Sequence, residues 1–217
     1  MLSFEDMKQL LNYKRMVSYV KKNRKDDVRA GVYYIAIIQV LGLAVGFVAW
    51  SLSSVYMDLF PAYGEAVGEA YWDSLTMGID LLVTTIMGFV GSLIGLAATH
   101  WLAVKFGGKA KQGEYFYIGG KFMLTVALVG FLFTLLAFIP LVNCLTSILS
   151  IAFVFYAFYL FILLASTLFG VSSFKALVAI AVGWIVDAVV TFGLVAVIGA
   201  VTGLTLGLEL MGKSFGA

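Results

Sequence analysis

Hydrophobic residues in this chain come in long unbroken runs rather than in alternation with polar ones. Five runs are long enough to cross a bilayer, near residues 32–52, 78–104, 122–139, 145–169 and 176–206. A helix rises about 1.5 Å per residue, so a hydrocarbon core of roughly 30 Å takes about twenty mostly apolar residues. The period-two alternation that a membrane barrel requires is absent. The pattern predicts an all-α fold: a polytopic integral membrane bundle of five transmembrane helices. The break at residues 140–144 leaves room for only a short hairpin, which makes the third and fourth spans antiparallel neighbours.

The polar segments between the runs set a direction. Residues 1–30 carry eight Lys and Arg against four acidic side chains, whereas residues 53–77 carry Asp58, Glu65, Glu69 and Asp73 and no base. Lys105, Lys109, Lys111 and Lys121 then surround a single Glu114, and Lys175 follows the fourth span. Basic residues accumulate on the cytoplasmic side. The expected layout has a cytoplasmic N-terminus, an outside C-terminus and a short outer tail at 208–217. The thirty largely polar residues before the first span make it a retained anchor rather than a cleaved signal.

Within residues 1–30, Phe4, Met7, Leu10 and Leu11 are interspersed with Lys8, Lys14, Arg15, Lys21 and Lys22, an imperfectly amphipathic pattern. One expectation is a helix lying in the headgroup region with its lysines on anionic lipid; the other is an ordinary basic flank. Tyr56, Phe60, Tyr63, Tyr71 and Trp72 in the acidic loop read as interfacial anchors.

Composition agrees with the pattern, at 62% hydrophobic and 12% charged in 217 residues. A net charge of +2 without a basic, aromatic-rich stripe gives no reason to expect nucleic acid. Cys144 is the only cysteine and His100 the only histidine, so an intrachain disulfide, a CxxC site and an HExxH zinc site are excluded, and no catalytic triad is expected. No GxxxxGK[ST] loop is present, and the Gly107-Gly108-Lys109 fragment reads as a polar turn. Neither a cofactor nor a metal is expected, and no enzyme.

Ionisable and polar groups inside apolar spans are the remaining chemistry. Asp187 lies near the middle of the fifth span, and Gln39, Ser92 and Tyr159 fall at similar depth on three others. One reading of this layer is polar glue between helices; the other is a proton, ion or substrate site. Glycines spaced by four at Gly42 and Gly46, at Gly91 and Gly95, and at Gly199, Gly203 and Gly207 allow close helix contact, within the bundle or in a homo-oligomer.

The run His100-Trp-Leu-Ala-Val-Lys-Phe-Gly-Gly-Lys109 is followed by a third span closing at Ile139-Pro140. The fourth span then ends at Phe169-Gly170-Val171-Ser172, before Lys175-Ala176. In this order the elements resemble the Yip domain family of five-span membrane proteins, over roughly residues 30–200. Eukaryotic members act in traffic between endoplasmic reticulum and Golgi with Rab-type GTPases, while many prokaryotic members have no settled role. The chain lacks the Asp-Leu-Tyr-Gly-Pro element of the trafficking members before its first span. It also has Tyr117-Ile-Gly-Gly120 where a Gly-Tyr is usual. The resemblance is therefore to a prokaryotic plasma-membrane member, with the endoplasmic reticulum or Golgi as the alternative location.

The expectation that results is a non-enzymatic scaffold or adaptor. Its basic cytoplasmic face, with Lys14, Arg15, Lys21, Lys22, Lys105, Lys109 and Lys111, would engage membrane lipid or a cytoplasmic protein. The alternative is a small transporter or channel built on the Asp187 layer.

Overall fold

A computed structural model of the chain describes the backbone of residues 2–59, 74–137 and 140–215, and the side-chain surroundings of residues 2–48, 51, 81–137, 142 and 144–198. Two short helices come first, α1 (Phe4–Leu10) and α2 (Tyr13–Lys22). Five long ones follow: α3 (Val28–Leu59), α4 (Ser74–Lys105), α5 (Gln112–Ala137), α6 (Pro140–Phe169) and α7 (Ser173–Phe215). Each of the five contains a stretch long and apolar enough to span a bilayer, and together they define a multi-pass helical membrane protein. Residues 60–73 of the acidic, aromatic segment, and the side-chain surroundings of the rest of it and of Gly199, Gly203 and Gly207, lie outside the described residues.

Local chemistry explains the helix ends. Ser3 and Asp6 form a reciprocal capping box on α1, the Asp6 N–H donating to Ser3 Oγ at 3.1 Å and the Ser3 N–H to Asp6 Oδ2 at 3.0 Å. Asn12 caps α2 by accepting from the N–H groups of Lys14 and Arg15. At the other end of the chain's first turn back into the bundle, Asp27 Oδ1 accepts from the Ala30 N–H at 2.9 Å. Helices α4 and α6 both end on glycines with positive φ, Gly107 at 94° and Gly170 at 69°, a conformation that a Cβ disfavours. The Lys109 N–H donates to the Phe169 carbonyl at 3.0 Å, which ties these two turns together.

Two helix pairs form the frame. Helices α4 and α7 make the most extensive contact and α3 with α5 the next, with α6 packed on α5 and α7. Glycines set the close approach in both pairs. A Cβ on Gly31 would overlap the Phe116 backbone, and one on Gly120 would come within 2.9 Å of the Gly31 carbonyl oxygen. Across the other pair, a Cβ on Gly95 would lie 2.8 Å from both Asp187 Cβ and the Gly183 carbonyl oxygen.

Burial is uneven along the bundle. The end that carries the turns at Gly107 and Gly170, called the basic end below, has a tight core of Tyr115, Ile118, Phe122, Leu160, Leu164, Leu168, Phe169 and Ile180. Away from that end large apolar side chains face outward, among them Phe155 at 71% and Phe192 at 73% exposure. Lipid chains are the natural cover for such a surface.

Three expectations change. Helix α5 begins at Gln112, not near residue 122, because Gly119, Gly120 and Lys121 are buried against other helices instead of forming a polar loop. Residues 1–30 are not a helix lying on the membrane by its apolar face: Leu10, Met16, Tyr19 and Val20 belong to the bundle core. Finally, the outer tail expected from 208 has a helical backbone as far as Phe215.

Candidate functional site

The N-terminal helices reach the basic end through a polar cluster that closes over Lys121. Helix α5 carries this lysine inward, leaving its side chain 6% exposed. Its Nζ donates to Asp6 Oδ2 at 3.2 Å and to Tyr19 Oη at 3.3 Å, and lies 5.1 Å from the centre of the Tyr117 ring. Tyr19 in turn donates to Asp6 Oδ1 at 2.9 Å. A buried ammonium needs a charge partner and further donors or acceptors around it, and two helices more than a hundred residues upstream supply them.

The electrostatics follow from these contacts. Burial works against the charge on Asp6, but the Ser3 N–H, the Tyr19 hydroxyl and Lys121 outweigh it and hold the carboxyl below its ordinary range. Burial, then the hydrogen bond to Asp6, push the Tyr19 phenol up to about 12.

Further contacts hold the segment in place. Tyr156 Oη donates to the Leu11 carbonyl at 2.7 Å. Arg24 donates to the Thr167 and Leu168 carbonyls at 3.3 and 3.1 Å, covering the free C-terminal carbonyls of α6 as a cation suits them. Lys111 pairs with Asp26 at 3.2 Å.

Packing one side of α2 into the core turns its other side outward. Lys14, Val17, Ser18, Lys21 and Lys22 line a shallow groove there, and Arg15 is exposed beside it. Among the described residues none of these four bases meets an acidic side chain. Lys105 stands 5.7 Å over the Trp101 ring, and Lys109 is exposed at the turn. Of the bases expected on this face, Lys111 is neutralised by Asp26. Lys121, expected in the same basic segment, serves the interior instead.

The intramembrane polar layer is partly convergent. Asp187 Oδ1 accepts from Thr191 Oγ1 at 3.2 Å, within α7. Gly91 and Gly95 of α4 make room for it, since a Cβ at Gly91 would overlap both Asp187 Oδ1 and Thr191 Oγ1. Ser92 borders the same cavity as Asp187 and also a second cavity with Gln39. Tyr159 borders neither and is 53% exposed on α6. As for the other glycine pairs, Gly42 faces open space and Gly46 approaches the Leu81 side chain.

Sequence reasoning overlooked Asp6, Tyr19 and Arg24, and Gly31, Gly120 and Gly183. The capping pattern Ser3-x-x-Asp6 and the Met16, Tyr19, Val20 stripe at helical spacing were the available signals. Nothing local to residue 121 reveals a partner so far away.

The fold thus defines a helical, multi-pass membrane protein with a basic face and a polar layer among its spans. No protein-family model matches the chain, and comparison with curated proteins and with solved structures gives no match either.

Proposed function

We propose that the chain is a non-enzymatic membrane scaffold or adaptor of the Yip type, and that it binds anionic lipid through the outward face of α2. One observation carries this reading: α2 is fixed in the core by Met16, Tyr19 and Val20, while Lys14, Lys21 and Lys22 face outward without acidic partners among the described residues. A helix already ordered by its fold loses little further freedom on binding, so its basic groups act at low entropic cost. Each lysine near an anionic surface contributes about 1 kcal/mol, less at high salt. The excess of bases at this end supports an orientation with the N-terminus in the cytoplasm, and the resemblance to prokaryotic Yip members points to a plasma membrane.

The test uses the full-length protein in detergent, titrated with phosphatidylglycerol or phosphatidylcholine and read by native mass spectrometry. The parent should retain phosphatidylglycerol preferentially. Lys14→Gln/Lys21→Gln/Lys22→Gln should bring the two lipids to near parity, a loss of up to about 100-fold in preference at ~1 kcal/mol per lysine. A parent without preference, or a triple variant that keeps it, would refute lipid binding at this face.

A further inference from the structure

Two neighbouring cavities open in the apolar part of the bundle, and they share a wall. The first, of about 290 Å³, is bordered by all five long helices, with Ile38 on α3, Val126 on α5 and Ala157 on α6 among its walls. Apart from the Trp184 indole, Gln39 and Ser92 are its only polar lining side chains. The second is a shallow depression open to the surroundings between α4 and α7, lined by Asp187 and Thr191. Ser92 and Trp184 border both.

Each cavity asks for a different half of one molecule. An apolar space of this kind gains contacts when hydrocarbon fills it, and offers water too few partners. The first cavity, half open to the surroundings, has room for part of a hydrocarbon chain. The second presents a carboxylate whose Oδ1 is satisfied by Thr191 and for which no cation is present among the described residues. Helix α4 is cut back for that carboxylate at Gly91 and Gly95, so its position is set by the fold. A cation beside it in a poorly solvated setting makes a strong, charge-assisted hydrogen bond.

We infer that the paired cavities are a binding site for a single-chain cationic amphiphile, with its hydrocarbon chain in the five-helix cavity and its ammonium group on Asp187, past Ser92 and Trp184. This inference rests on the membrane-spanning fold and not on the lipid-binding face of α2, so the two stand or fall separately.

Dodecylamine, dodecanol and dodecanoate are suitable probes, because they share a chain and differ in the head. Binding is read from Trp184 fluorescence in a full-length background carrying Trp50→Phe, Trp72→Phe and Trp101→Phe. Dodecylamine should bind saturably and dodecanoate much more weakly. Asp187→Asn should weaken dodecylamine about tenfold or more, as expected for loss of a charge-assisted hydrogen bond, and weaken dodecanol much less. Ala157→Phe, which fills the chain cavity, should abolish binding of all three. A signal that rises linearly without saturation shows bulk partitioning and overturns the inference, as does equal affinity for amine and carboxylate or indifference to Asp187→Asn. Should Ala157→Phe fail to fold, a dodecylamine bearing a mid-chain diazirine decides the matter in the parent. Labelling at Val126, Ala157 or Phe158 upholds the site, and labelling confined to other residues removes it.

Discussion

Asp6 and Lys121 form an ion pair whose two members are unequally buried, and single substitutions should therefore cost different amounts. The lysine side chain is 6% exposed and the aspartate 21%. Asp6→Asn keeps an amide oxygen as acceptor but removes the counter-charge, leaving the buried ammonium with that oxygen, the Tyr19 hydroxyl at 3.3 Å and the Tyr117 ring at 5.1 Å. An uncompensated buried charge costs about 3–5 kcal/mol, and the remaining amide oxygen places the loss near the lower figure. Lys121→Met removes the buried cation and fills similar volume. Asp6 then retains the Ser3 N–H, the Tyr19 hydroxyl and some access to water, so the loss is about 1 kcal/mol. In the double variant no stranded charge remains, and the two effects should fall short of additivity by about 2 kcal/mol. Amide hydrogen exchange on α1 and α2 in detergent reads the docking of the hairpin directly. Asp6→Asn should accelerate exchange at Leu10, Met16 and Val20 by on the order of 100-fold, and Lys121→Met by no more than about tenfold. The reasoning fails if Lys121→Met is the more damaging change, or if the two substitutions add.

The same cluster gives hairpin docking two pH limits. Asp6 is held below its unfolded value of 3.8, so its contribution is complete above that value and is lost as the pH falls through the lower folded one. The Tyr19 phenol rises from 10.0 to about 12, so its contribution is complete below pH 10 and is lost as the pH climbs toward 12. Protection should be level between the two limits, and Tyr19→Phe should move the alkaline one without removing it, because the Lys121 ammonium that pairs with Asp6 also loses its charge at alkaline pH. Among glycines, Gly120→Ala should lower thermal stability by about 1–3 kcal/mol because its Cβ meets the Gly31 carbonyl, whereas Gly42→Ala, in open space, should change it by less than about 0.5 kcal/mol. Equal melting temperatures for those two variants would contradict the close crossing of α3 and α5. If Asp187 serves binding alone, proteoliposomes of the parent should show no proton or solute flux; a flux that Asp187→Asn abolishes would favour a transporter instead.

The long apolar runs made five spanning helices legible in the sequence, because exclusion of charge over about twenty residues is a local property. Gly91 and Gly95, both small and on one face, marked α4 as able to pack closely, but their spacing did not name α7 as the partner. Lys121 was misread for a physical reason. A basic residue between a polar turn and an apolar run looks like a loop residue until its counter-charge is known, and that counter-charge stands at Asp6. The α3–α5 crossing was equally hidden. Gly31 and Gly120 work as a pair across helices, which spacing within one helix does not disclose. Tyr159 shows the converse limit, for equal depth along the helices does not imply that side chains face one another.

The contact between Asp6 and Lys121 spans 115 residues, and that between Leu11 and Tyr156 spans 145. At roughly 5–20 residues per second, a ribosome takes on the order of 10 s to pass from the first member of each pair to the second. Throughout that interval the first two helices exist without their seat, with Leu10, Met16 and Val20 open to whatever attends the nascent chain. Helices α1 and α2 are thus made well before they can be put in place, and their docking marks the point at which α5 and α6 have both been delivered.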